Sequence, residues 1–310
     1  MPKIRSPFST SIKIAILLFI LLVSLRGVYY WHSDGFSLFR IEHSYYPKNK
    51  TLPPPTSEQV AEMQKICSQP FFYLAKGSQA YAFISQDGEW VLKLFKYYHL
   101  KPIPWMDILT RPPYIGDFIK AHLERRKKKA ELTLSSYQIA HDLIPQECGI
   151  VYLQIEPSGC FHQTVRVTDK IGRSYSIDLE KHGFMLQKRA YLIFPTLDRW
   201  VKNGQLDQAK KFIHSLITLL TERCKKGVQD QDPDLHKNAG AIGIEATFID
   251  VGSFHLNEHA KENQVIVRDI RKITRGLREW CVAHSSDLAQ FLEEELVTIE
   301  QNSLDIASKN

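Results

Sequence analysis

The segment Trp90-Val-Leu-Lys93-Leu-Phe95 puts one lysine in the middle of an otherwise apolar, strand-forming run. A lysine so placed either snorkels outward along its aliphatic stem or projects into a site that wants its charge. What precedes it fixes the local geometry. Phe71 to Ile84 is a second run of apolar residues, and Asp87-Gly88 between the two is a strong hairpin signal. Small residues (Ala75, Gly77, Ser78, Ala80 and Ala82) fill the connection entering the hairpin, so backbone N–H groups there can approach a phosphate closely.

Further along, the chain reads Gly227-Val-Gln-Asp230-Gln-Asp232-Pro-Asp234-Leu-His-Lys-Asn238, and twelve residues after that Asn comes Asp250, in Ile249-Asp250-Val-Gly252. Asn238 and Asp250 offer hard oxygen ligands suited to Mg²⁺ beside a nucleotide, and one of the earlier Asp residues could orient a nucleophile. A calcium loop counted from Asp230 would need Gly at its sixth position and Glu at its twelfth, where Leu235 and Ala241 stand. Asp and Pro also favour solvated turns on their own. The joint pattern, rather than any one piece, carries the functional reading.

Taken in order, these pieces resemble the protein-kinase-like superfamily, including its small-molecule phosphotransferase branches. Leu74-Ala-Lys-Gly77-Ser-Gln-Ala80-Tyr-Ala82 resembles the glycine-rich nucleotide loop, with two glycines replaced by Ala75 and Ala80. Val91-Leu-Lys93 resembles the strand carrying the phosphate-pairing lysine, Asp250-Val-Gly252 the metal-binding Asp-Phe-Gly triplet, and Asn238 the metal-binding Asn of the catalytic loop. The resemblance spans roughly residues 67–256. It implies an α+β, two-lobed fold with an antiparallel sheet lobe over 57–190 and a short, mostly helical lobe over 191–301. It also implies ATP and Mg²⁺ as cofactors and a hydroxyl acceptor, small molecule or protein.

The roles that follow from the resemblance are specific. Lys93 would pair the phosphates, steadied by a Glu on the following helix, with Glu131 the first candidate and Glu124 the second. Backbone groups at Gly77 and Ser78 would cover the phosphates and Val91 would line the nucleotide. Met185-Leu-Gln187-Lys-Arg189 would be the hinge meeting the adenine edge. Asn238 and Asp250 would hold Mg²⁺. The family places its catalytic Asp five residues before the Asn, where this chain has Pro233; Asp232 and Asp234 flank that position, and Asp232 is preferred. This offset and the two missing loop glycines leave a catalytically inactive, interaction-only version of the fold as the alternative. If Lys93 and Asp250 stood beyond ~10 Å apart at their side-chain ends, they could not share one triphosphate and its metal, and the motif order would be accidental.

Composition narrows the remaining classes. A net charge of +6 does not demand nucleic acid, and none is expected as a partner. The basic run Arg125-Arg-Lys-Lys-Lys129 falls inside a helical pattern over 119–144 and reads as a solvated face. Five scattered cysteines without a C-x-x-C, and no HExxH, argue for reduced thiols and against a zinc site. Residues 1–31 read as a single-pass membrane anchor or signal segment. The uncharged run from Ile14 to Leu25 is extended to Trp31 to give a span over residues 14–31, with Arg26 inside it and Tyr29, Tyr30 and Trp31 at one interface. No small-x-small cleavage site follows Leu25, which favours the anchor. The positive-inside tendency would put the body on the far side of the membrane from cytoplasmic ATP, so the side remains open. Residues 32–56 read as a linker ending in Pro53-Pro-Pro55, 97–120 as a Pro-rich insertion, and 302–310 as a tail. Helices are expected at 205–226, 266–281 and 286–301.

Overall fold

In the computed structural model the Asp87-Gly88 turn forms as expected, with Gly88 at φ 78° and its N–H donating to the Ser85 carbonyl at 3.0 Å. The structure describes residues 7–42, 52, 55–99, 115–157 and 162–307. The apolar N-terminus is one long helix, α1 (Pro7–Ser33), followed by a single turn, α2 (Leu38–Ile41), and by α3 (Ser57–Cys67). A capping box starts α3: the Gln59 N–H donates to Thr56 Oγ1 and the Thr56 N–H to Gln59 Oε1. Strands β1 (Phe71–Lys76), β2 (Ala80–Ser85) and β3 (Trp90–Phe95) then make the antiparallel meander.

The 29-residue helix α4 (Ile115–Leu143) follows, then β4 (Ile150–Gln154), β5 (Thr164–Thr168), β6 (Ser174–Asp178) and β7 (Phe184–Lys188). These strands complete one seven-stranded sheet in the order β4-β7-β3-β2-β1-β5-β6. Period-two alternation divides its residues between two cores. Leu92 and Leu94 pack with Phe71, Phe83 and Phe184, whereas Phe95 and Met185 join the cluster shared with α4. Lys93 is on this second face.

The segment read as a linker is partly structural. Asp34 and Gly35 take positive φ (51° and 70°) and turn the chain out of α1 onto the sheet, so that Phe36 and Ile41 are buried. A Cβ at Gly35 would lie 2.3 Å from the Tyr30 ring, so only glycine fits. Phe36 then meets Tyr81, Phe83 and Tyr175 edge-on at 5.2–5.3 Å. The Pro-rich insertion falls largely outside the described residues, as does one of the five cysteines, Cys160.

After the two-residue β8 (Tyr191–Leu192) the chain becomes mainly helical: α5 (Ile193–Lys202) and α6 (Leu206–Lys225). Then come β9 (Val228–Asp230), the hairpin β10 (Ala239–Ile242) and β11 (Glu245–Phe248), and β12 (Phe254–Leu256). Helices α7 (Asn263–Ile273), α8 (Arg275–His284) and α9 (Ser286–Ala307) close the chain. The single helix expected over 266–281 is two, broken at Thr274, whose hydroxyl donates back to the Ile270 carbonyl at 2.7 Å. Such back-bonding competes with the helical ladder and bends it. Together, a curled sheet lobe and a short helical lobe form the α+β, two-lobed kinase-like arrangement.

Of α1, Ser11–Ser33 is long and apolar enough to cross a membrane and stands free of the body along its apolar length, with Leu17 and Phe19 more than two-thirds exposed. Its C-terminal end is held. Tyr29 and Tyr30 reach Arg173 and Lys76 (3.4 and 3.1 Å), and just beyond, Asp34 accepts from Tyr73 and Lys170 at 2.7 and 2.9 Å.

Candidate active site between the lobes

Strand β3 carries Lys93 to the boundary of the lobes, where its ammonium donates to the main-chain carbonyl of Ile249 at 2.5 Å. The next residue is Asp250, so the two lie well inside the separation at which the motif order would be accidental. Burial pushes the Lys93 ammonium down from its ordinary value, and the negative charge of Asp250 opposes that fall.

Asp250 is tied to the Asp loop through the backbone. The N–H groups of Ile249 and Asp250 both donate to the Asn238 carbonyl (2.8 and 3.3 Å), and Asp250 Oδ1 accepts the Gly252 N–H at 3.0 Å. The buried Asn238 side chain donates its amide N–H to the Asp232 carbonyl at 2.6 Å. That orientation leaves Asn238 Oδ1 and the second oxygen of Asp250 as acceptors, hard-oxygen groups of the kind a divalent cation such as Mg²⁺ takes as ligands.

The three aspartates of the loop are held differently. Asp230 is interior: its carboxylate accepts from the Asp232 N–H (2.9 Å) and the Ser253 hydroxyl (2.5 Å) and lies 3.8 Å from the Arg223 guanidinium. Asp234 accepts the His236 N–H and the Lys237 ammonium, both at 2.9 Å, and the Lys237 bond in particular holds its carboxyl below the usual range. Asp232 is exposed, and its carboxylate has no hydrogen-bond partner among the described residues. The Lys237 ammonium is raised chiefly by its bond to Asp234, with smaller contributions from the charges of Asp232 and Asp250.

Several expected residues sit elsewhere. Glu131 pairs with Lys127 one helical turn back at 3.9 Å, and the negative charge acting on Lys93 is that of Asp250. The part of α4 facing the site is Thr133 and Tyr137. A Cβ on Gly252 would meet Thr133 Cγ2 at 3.4 Å and the Tyr137 hydroxyl at 3.7 Å, and Tyr137 stacks on Phe95 at 4.7 Å. Glu124, the second candidate, lies exposed nearly two turns before Glu131. Gln187 turns inward, its amide donating to the Cys148 and Phe248 carbonyls at 2.5 and 2.8 Å. Arg189 braces the hairpin turn through the Gly88 carbonyl at 3.3 Å and lies over Tyr191. The backbone N–H groups of Lys188 and Arg189 are already given to Gly149 and Glu89, because β7 is an interior strand paired on both sides. The connection between β7 and β8 is therefore Arg189-Ala190, at the end of the expected hinge segment.

Val91 lines the Lys93 face, two residues before it. Gly77 donates its N–H to the Ala80 carbonyl at 3.0 Å, closing the loop that also carries the exposed Ser78. The Gly77 carbonyl accepts from Lys96, which the sequence reading did not single out. Lys96 is buried over the Tyr81 ring at 4.2 Å, and desolvation, with Lys76 and Arg40 nearby, brings its ammonium down to about 8. Arg223 was also missed: it lies on the buried face of α6, 5.6 Å over the Phe248 ring. Nothing in the local sequence distinguishes either from an ordinary surface cation.

The sequence matches no known family profile and no curated protein. Among solved structures the chain is similar to WbdD, a bifunctional kinase-methyltransferase. A co-crystal of WbdD with the kinase inhibitor LY294002 is 14% identical, with a TM-score of 0.35, over 75% of this chain and 45% of that one. A second WbdD crystal structure is 14% identical, with a TM-score of 0.36, over 76% and 51%. The chain spans about half the length of these structures.

Proposed function

We propose that this chain is a membrane-anchored phosphotransferase that moves the γ-phosphoryl group of ATP to a hydroxyl acceptor. The observation carrying this reading is the meeting of Lys93 with the Ile249-Asp250 segment across the lobes. Lys93 is desolvated there, so its charge would act on phosphate oxygens in a low-dielectric setting. Asn238 and Asp250 would hold Mg²⁺, which when bound neutralises the charge of the phosphates. Asp232, whose carboxylate is uncommitted, would accept the proton of the acceptor hydroxyl. The hydroxyl oxygen attacks the γ-phosphorus, and the bond to the β-phosphate oxygen breaks. ADP departs with that electron pair while the proton passes to Asp232. Asp234 is a weaker base candidate, since each of its oxygens already accepts a hydrogen bond, from the His236 N–H and from Lys237.

One observation favours a second reading, a nucleotide-binding module without transfer. No Glu of α4 acts on Lys93, and the Lys93 ammonium is already engaged by a main-chain carbonyl. A single comparison separates the two. MgATP should raise the melting temperature of the full chain in detergent and release ADP with a phosphorylated acceptor. Asp250→Ala should abolish both effects, and Asp232→Asn only the transfer, by roughly 100-fold or more for loss of a positioned general base. Stabilisation without transfer leaves the binding module; the absence of any nucleotide effect rejects both readings.

A further inference from the structure

We propose that the cleft beside the Asp loop is the acceptor subsite and takes a phosphorylated hydroxyl compound, its anionic group held by Lys272 and Arg275. This rests on the phosphotransferase reading of the same loop. The cleft, about 370 Å³, runs from Pro233 and Asp234 to the junction of α7 and α8. It therefore begins at the residue that follows Asp232 in the chain.

The charges along the cleft point to an anion. Lys272 and Arg275 line it, both are exposed, and neither has an ion-pair partner among the described residues. Their neighbours Arg271 and Arg278, by contrast, are occupied by Glu300 and Glu293. Arg275 is the first residue of α8, and a cation there opposes the positive end of the helix dipole. Helix stability thus does not account for it, whereas an anion at that end satisfies both helix and guanidinium. The acidic groups on the cleft are Asp234, neutralised by Lys237, and Glu279, one turn beyond Arg275. A compact dianion such as a phosphomonoester suits two cations lining one cleft, and Glu279 disfavours a ligand with a second acidic group.

The walls are shaped as well as charged. His236 stacks on Phe194 with ring centroids 4.1 Å apart, and Phe194 leans on Trp280 at 6.3 Å. This fixes the imidazole at the cleft edge, where a polar tip on an apolar body can meet the carbon skeleton of a polyol.

The probe is glycerol 3-phosphate, with uncharged glycerol beside it, titrated calorimetrically into the full chain in neutral detergent. Glycerol 3-phosphate should bind and glycerol should not. Lys272→Met and Arg275→Met should each weaken binding by about tenfold, as for loss of one charge-assisted hydrogen bond, and Glu279→Gln should tighten it by about threefold. Asp250→Ala should leave this binding unchanged while removing the nucleotide effect, so the two proposals can fail separately. Glycerol 3-phosphate binding no tighter than glycerol, or unchanged in the Lys272→Met/Arg275→Met double variant, overturns the proposal. All three cleft side chains are exposed, so the fold should survive their replacement, which circular dichroism checks.

Discussion

The two walls of the interlobe site hold their charges by opposite means. On the sheet wall, Lys96 is buried and Lys93 half-buried, and both are satisfied by main-chain carbonyls, Gly77 for the first and Ile249 for the second. On the helical wall the Asp loop keeps Asp232 and Asp234 toward solvent and buries only Asp230, against Arg223. The sheet wall thus spends folding stability to keep cations dry. The loop wall needs one buried pair to set the position of several solvated acids. The contrast teaches that the cationic side of the site is built into a core and the acidic side is hung on a scaffold.

Breaking that scaffold should give the largest effect. Asp230→Ala leaves the Arg223 guanidinium buried without its partner and frees Ser253 and the Asp232 N–H, at a cost of about 3–5 kcal/mol, read from urea unfolding. Arg223→Met/Asp230→Leu should recover much of it, since an apolar pair of similar volume does not carry the desolvation cost. A loss below about 1 kcal/mol in Asp230→Ala would mean that the pair is no scaffold.

The sheet wall is tested by pH. Lys96 has its folded value lowered to about 8 while the unfolded chain keeps the ordinary 10.5. Below pH 8 both states are protonated and the cost of the buried charge is fully present. Between about 8 and 10.5 the folded state has lost the proton and the unfolded state retains it, so stability should rise with pH across that window. Lys96→Met should flatten that rise in urea midpoints taken at pH 7.5 and 10. An unchanged slope would place the titration elsewhere.

The smallest effect belongs to the solvated acids. Asp234 titrates below its ordinary 3.8, chiefly through Lys237, so its contribution is present above that value and disappears as pH falls through the lowered one. Lys237→Ala should move the Asp234 carboxyl back toward 3.8 in an NMR titration while barely shifting the melting temperature. A carboxyl that stays low would give the larger share to the His236 N–H.

Much of this was legible in the chain. The apolar run around Lys93, the Asp-Gly turn and the order of loop, strand and Ile-Asp-Val-Gly are local signals, and local signals survive into the fold. Glu131 was not legible because the rotation of α4 is set by Tyr137 stacking on Phe95, a long-range contact. Gln187 looked like a hinge residue since sequence order does not reveal that β7 sits between β4 and β3. Residues 34–41 read as a leash because Gly and polar residues surround Phe36; that Phe36 is buried depends on the turn at Asp34-Gly35. Lys96 and Arg223 were invisible because composition does not show which cation is buried.

The contacts at the end of α1 have a mechanical consequence. Tyr30 grips Lys76, the last residue before Gly77, and Asp34 grips Tyr73 in the same strand. A helix clamped to β1 within a few residues of the phosphate-loop candidate transmits its tilt to the sheet. In a bilayer, a helix longer than the local hydrocarbon thickness leans, and a thinner bilayer makes it lean further. The cleft would then change its aim toward the bilayer surface with membrane thickness, so that the lipid environment would set the direction it faces.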